Sequence, residues 1–267
     1  LIVGTSMGAV IGGMYAQLGD IGRVEEKVIS YIESFGVKGK WLSFLGEPHV
    51  KDQRDLFGDI AYYIKKQYIG IRTLTNVALE EKEILYEPLK AFLEDDRIEN
   101  CKIPFAAVAM DLRYGKTEVL TSGPIIDAVY ASAAVEGAFP PIEQDGMILA
   151  DGGPVAIVPV EIARKMGAKK IIAVDVSIEI KEEEKCSSGL QVILRADTIA
   201  QDRLRMIDLG LADLVISPKI TAVHWANFSR VKYSIRRGEI AARASLDKMK
   251  DLVSSKPWWK RVLTGSG

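Results

Sequence analysis

The chain has 267 residues, 48% of them hydrophobic and 27% charged, with a formal net charge of −1. That is enough to bury one sizeable α/β core, and the charge balance excludes a global field that would draw the protein to nucleic acid or an anionic membrane. Two widely separated cysteines, Cys101 and Cys186, and two histidines, His49 and His224, argue against a disulfide scaffold or a zinc site; no cofactor is expected, and a reducing compartment such as the cytoplasm is.

In chain order, Leu1, Ile2 and Val3 read as the end of a buried strand, followed by G-T-S-M-G from Gly4 to Gly8 and by small apolar residues over 7–18 that suit a helix. Strand, sharp turn and helix are the setting of a nucleophile elbow, with Ser6 at its tip. Gly4 and Gly8 are expected to relieve collisions around the turn. The Met7 amide, at the positive end of the helix dipole, is expected to form half of an oxyanion hole. Gly8 and Gly12 make a G-x-x-x-G, but Gln17 and Asp20 end the apolar stretch short of the roughly 20 residues that span a bilayer. The chain starts within a strand, from which upstream sequence is expected to be missing.

Helical periodicity follows over 21–35, with Asp20 as cap, then over 52–68, and over 84–95 with an interruption at Pro88. Residues 103–112 and 116–123 read as strands joined by a turn at Arg113, Tyr114 and Gly115. A helix is expected over 124–134, with Pro124 in its first turn, then a short strand ending in A-D-G-G at Asp151, Gly152 and Gly153. Next come a helix over 158–166, an apolar run over 169–177 expected to be a parallel strand covered on both faces, and a helix over 190–209. A strand over 213–218 and a helix over 234–252 complete an alternating order. The expectation is one domain over 1–267, with a flexible loop at 179–189 and a tail at 253–267.

A serine hydroxyl needs a group to accept its proton. The candidates are His49, His224 and three aspartates at predicted strand ends, Asp111, Asp151 and Asp175. Asp151 stands out because Gly152 and Gly153 let another backbone or a substrate approach it.

Together, G-T-S-M-G, the A-S-A-A-V-E-G-A-F-P-P stretch over 131–141 and D-G-G at 151–153 resemble the patatin-like phospholipase family. The resemblance covers about 1–177. It implies a three-layer α/β/α sandwich with a mainly parallel sheet, and hydrolysis of lipid acyl esters through an acyl-enzyme. Ser6 carries over as nucleophile and Asp151 as its partner, a dyad without histidine. Glu136 stands where the family commonly has proline, and Ala156 where asparagine is frequent. The family's glycine-rich G-G-G-x-[RK]-G loop does not precede Ser6, so the polypeptide as given is expected to be weakly active or inactive.

Two other readings stay open beside the dyad. The order Ser6, Asp151, His224 matches the Ser-Asp-His triad of α/β-hydrolases, and a module lacking the glycine-rich loop could bind lipid without turning it over. The expected partner is a lipid or small ester. Trp41, Leu42, Phe44 and Leu45, and Trp258 and Trp259 among Lys256, Lys260 and Arg261, are candidate contacts with a membrane surface, though core packing and a docking patch explain them as well. Positive charge over 230–243 could meet phosphate head groups, and a solvated helix face accounts for it equally.

Overall fold

The computed structural model describes residues 1–34, 76–177, 180, 182, 186, 188–220 and 230–254. The helix expected over 52–68, both histidines and the two tryptophan clusters lie outside the described residues.

Strand β1 (Ile2–Thr5) runs into helix α1 (Met7–Leu18), which ends at Gly19 in the left-handed conformation, φ 66°. Helix α2 (Ile21–Ser34) follows, and Asp20 caps it as expected: its Oδ1 accepts the Gly22 and Arg23 amides at 2.8 and 3.3 Å. Helix α3 (Lys82–Phe92) begins two residues ahead of expectation and carries Pro88 within it.

Strands β2 (Phe105–Asp111) and β3 (Lys116–Leu120) form an antiparallel hairpin. Helix α4 (Ile125–Ala133) follows Pro124, and a second hairpin joins β4 (Ile142–Gln144) to β5 (Met147–Asp151). The sequence reading lacked β4, a three-residue strand too short to show alternation. Short helices α5 (Gly153–Ala156) and α6 (Val160–Lys165) lead to β6 (Ile172–Val174). Helix α7 (Gly189–Leu209) starts at Ser188, whose hydroxyl accepts the Gln191 amide at 3.2 Å, and leads to β7 (Leu214–Ile216).

The chain adopts the expected α/β/α class. In the larger, mixed sheet β1 pairs parallel with β2, whereas β3 and β5 pair antiparallel with β2 and β4 with β5. On one face Met14, Phe105, Ala107, Leu89, Val129 and Tyr130 form the main core between sheet and helices α1, α3 and α4. On the other, Val3, Val108 and Val119 pack against Ala156 and Ile162. Strand alternation explains the division, because Ala107 and Val108 point to opposite faces.

Two expectations need correction. The run over 169–177 is not covered on both faces: in β6 only Ala173 is buried, while Ile172 and Val174 are 41% and 57% exposed. Among the described residues β6 pairs only with β7, and the packing against Val158 and Val160 covers a single face. The C-terminal helix is two helices, α8 (Val231–Ala244) and α9 (Leu246–Ser254). They part at Ser245, whose hydroxyl bonds back to the Ala241 carbonyl at 3.1 Å; such a bond competes with the backbone ladder. Among the described residues no helix is long and apolar enough to cross a membrane.

Candidate active site

The register of β2 explains how residues 145 positions apart in sequence come together. Parallel to β2, β1 occupies its first half, ending with Thr5 opposite Val108. Antiparallel to β2, β5 occupies the second half, ending with Asp151 opposite Ala109. The carboxyl ends of β1 and β5 therefore meet head to head over one peptide of β2, between Val108 and Ala109. Ser6 leaves the sheet at that junction, and Asp151 arrives at it.

Ser6 has φ 55° and ψ −125°, the mirror image of a conformation open to ordinary residues. Such backbone costs about 1–3 kcal/mol and persists only where its surroundings fix it. A Cβ on Gly4 would lie 2.4 Å from the Gly8 carbonyl oxygen, so glycine at position 4 lets α1 fold back over β1. Gly8 does not share this role, contrary to expectation. Among the described residues a Cβ there would meet nothing within 4 Å.

Gly152 has the corresponding role beside Asp151. A Cβ would stand 2.4 Å from the Val108 carbonyl oxygen and 3.1 Å from the Thr5 methyl. Gly153 supplies an amide, which donates to Asp151 Oδ1 at 2.7 Å. The Thr5 hydroxyl donates to the Ala156 carbonyl at 2.6 Å, joining the end of β1 to the helix after D-G-G.

Asp151 is 4% exposed, and the Ser6 side chain is near enough to favour its ionised form. Burial pushes its carboxyl up to about 6, against the opposing pull of the nearby Ser6 side chain and of the hydrogen bond from the Gly153 amide. A carboxylate so placed is a better base than one in water and is still largely ionised at neutral pH. Ahead of the Ala9 and Val10 amides, which both donate to the Ser6 carbonyl, the Met7 and Gly8 amides have no hydrogen-bond partner among the described residues. They stand at the positive end of α1, where helix amides lack internal acceptors.

The other strand-end aspartates have partners elsewhere. Asp111 Oδ1 accepts the Arg113 and Ile148 amides at 2.9 and 3.1 Å, fixing the turn after β2 to β5. Asp175 is bound to the Arg205 guanidinium at 2.6 Å and to the Ser177 amide at 3.1 Å. Neither meets Ser6.

Two nearby groups escaped the sequence reading as site residues. Glu136 is exposed at its edge of the site, yet partial desolvation, reinforced by the charges of Asp151 and Asp197, pushes its carboxyl up to about 7. Ser132 is fully buried in α4 and accepts the Ser6 amide on both its carbonyl and its hydroxyl oxygen. Its partners lie 126 and 24 residues away in sequence, so no local signal marked it. A cavity of about 450 Å³ lies elsewhere, lined by Val119, Ala156, Ile162, Met166 and Asp208, and reaches neither Ser6 nor Asp151.

An α/β/α fold that presents a strained serine at a strand-to-helix turn, beside a buried carboxylate, defines the class of the site. A patatin-like phospholipase family profile matches residues 1–164, and the chain belongs to that family. It is 29% identical over 201 residues to the patatin-like phospholipase domain-containing protein ZK370.4 of Caenorhabditis elegans, a match covering 73% of this chain and 13% of that protein. It is 27% identical over 178 residues to human patatin-like phospholipase domain-containing protein 6, covering 66% of this chain and 11% of that one. An uncharacterized NTE family protein of Mycobacterium bovis is 28% identical over 176 residues, 66% of this chain and 40% of its own length. The chain thus spans well under half the length of these relatives.

Proposed function

We propose that this chain is a serine hydrolase of lipid carboxylic esters, with Ser6 as nucleophile and Asp151 as general base. The convergence of Ser6 and the desolvated Asp151 at the meeting point of β1 and β5 is the observation that carries this reading. Membership of a family named for phospholipase activity supports it.

The reaction runs in two halves. Asp151 takes the proton of the Ser6 hydroxyl as Oγ bonds to the ester carbonyl carbon, so a free alkoxide never has to form. The tetrahedral oxyanion faces the Met7 and Gly8 amides at the head of α1, which are set before charge develops. Collapse breaks the bond to the leaving oxygen, which receives the proton from Asp151, and the alcohol departs. Water then gives a proton to Asp151 and attacks the acyl-enzyme; a second collapse returns that proton to Ser6 Oγ and frees the fatty acid.

The test is covalent labelling of Ser6 by a fluorophosphonate, together with release of fatty acid from phospholipid, lysophospholipid and soluble esters. Labelling, and the weak turnover expected of the polypeptide as given, should vanish in Ser6→Ala and Asp151→Ala. An unlabelled Ser6 in a folded protein would favour a lipid-binding module instead.

A further inference from the structure

At the junction of β1 and β5 the ladder of β2 is interrupted. The Val108 carbonyl faces the point where one partner strand leaves and the other arrives, and the Ser6 amide has just turned out of the sheet. Buried backbone groups of this kind need partners. The Ser132 hydroxyl serves both: it donates to the Val108 carbonyl at 2.6 Å and accepts the Ser6 amide at 3.0 Å, sharing that amide with the Ser132 carbonyl at 3.1 Å. Two residues later in the same segment, the Ala134 carbonyl accepts the Asp151 amide at 3.0 Å. One stretch at the end of α4 therefore holds the backbone of both Ser6 and Asp151.

This bridge has little freedom. Ser132 has no exposed surface, and Gly152 presses on the same Val108 carbonyl so closely that it lacks room for a Cβ. The hydroxyl proton is committed to Val108, so the oxygen presents a lone pair to the Ser6 amide. Together with the Ser132 carbonyl it holds a residue at φ 55°, a strained backbone whose position the hydroxyl ties to Val108.

We propose that Ser132 is a positioning residue for the nucleophile: its hydroxyl bridges the Ser6 amide to the Val108 carbonyl, and turnover depends on that bridge. This rests on the reading of Ser6 as nucleophile. Ser132 touches no reacting atom. It acts by fixing the backbone from which Oγ of Ser6 projects, and a displacement of about 1 Å at a nucleophile can cost about 100-fold in rate.

The test compares Ser132→Ala with the unaltered chain by turnover per active site, counted from fluorophosphonate-labelled Ser6, and by hydrogen exchange of the Ser6 amide. The expected result is a fall in kcat of about 10- to 100-fold with KM within about twofold, and faster exchange at Ser6. The inflection of the pH profile should not move, because Asp151 keeps its partners. Fewer labelled sites with unchanged turnover per site would mean that Ser132 merely supports the fold, and would overturn the proposal. If Ser132→Ala does not fold, Ser132→Cys takes its place, with a weaker donor and acceptor in a similar volume. Should the unaltered chain neither label nor turn over, the reading of Ser6 fails, and turnover dependence falls with it. The exchange measurement still decides the bridge: unchanged Ser6 exchange in the variant would refute it on structural grounds alone.

Discussion

Burying Asp151 has a thermodynamic cost that can be read in the intact protein. Its carboxyl is raised from 3.8 to about 6, so ionisation is less favourable in the folded chain than in the unfolded one by about 3 kcal/mol. Well below pH 3.8 the group is protonated in both states and there is no penalty. As the pH climbs from about 4 to about 6 the unfolded chain loses its proton first, so this contribution to stability is lost across that window and stays lost above it. Asp151→Asn removes the titration while keeping the size of the side chain. It is expected to be inactive yet more stable than the parent at pH 7.5, by up to about 3 kcal/mol, or roughly 6–12 °C in Tm. At pH 4, just above the unfolded value of 3.8, the difference should shrink to about 0.6 kcal/mol, roughly 1–2 °C in Tm. Thermal unfolding followed by circular dichroism at both pH values, with ester turnover alongside, makes the measurement. A stability difference that does not change between pH 4 and pH 7.5 would refute the reasoning, as would a fully active Asn variant.

For the parent, kcat/KM should rise with pH through an inflection near 6 as Asp151 ionises; a flat profile between pH 5 and 7 would count against its role as base. Gly4→Ala should destabilise by roughly 2 kcal/mol or more, since its Cβ would meet backbone atoms of α1 that have no room to yield, whereas Gly8→Ala should be neutral or stabilise α1 by up to about 1 kcal/mol in denaturant unfolding. His224→Ala should leave turnover within a few-fold of the parent; a loss of about a thousandfold would indicate a Ser-Asp-His triad.

What the sequence disclosed and what it withheld divide along the range of the interactions. The turn at Ser6, the bounds of α1 and the cap at Asp20 depend on neighbours a few residues away, and glycine spacing and apolar runs reveal them directly. Asp151 stood out through the glycines beside it, and Gly152 does meet a backbone that closely approaches it. Gly8 looked equivalent to Gly4 in the motif, but their different crowding depends on which way each Cβ would point. The exposed face of β6 could not be inferred from an apolar string, because burial depends on which elements pack against a strand. Ser132 was hardest to find, since its partners lie 126 residues before it and 24 residues before it in the chain. Nothing local distinguishes a serine that bridges two backbones from one that merely sits in a helix.

Because β1 and β5 abut on a common template, β2 behaves as a ruler with two scales read from opposite ends. An insertion or deletion of one residue within β5, with the pairing preserved further along, would turn Asp151 to the opposite side of the sheet. Loops beyond the outer ends of either strand can lengthen without disturbing that measurement. The arrangement leaves the periphery free to diversify while holding the central distance constant. Ester cleavage would then double as a sensitive report that two long-range strand pairings have closed in the correct alignment.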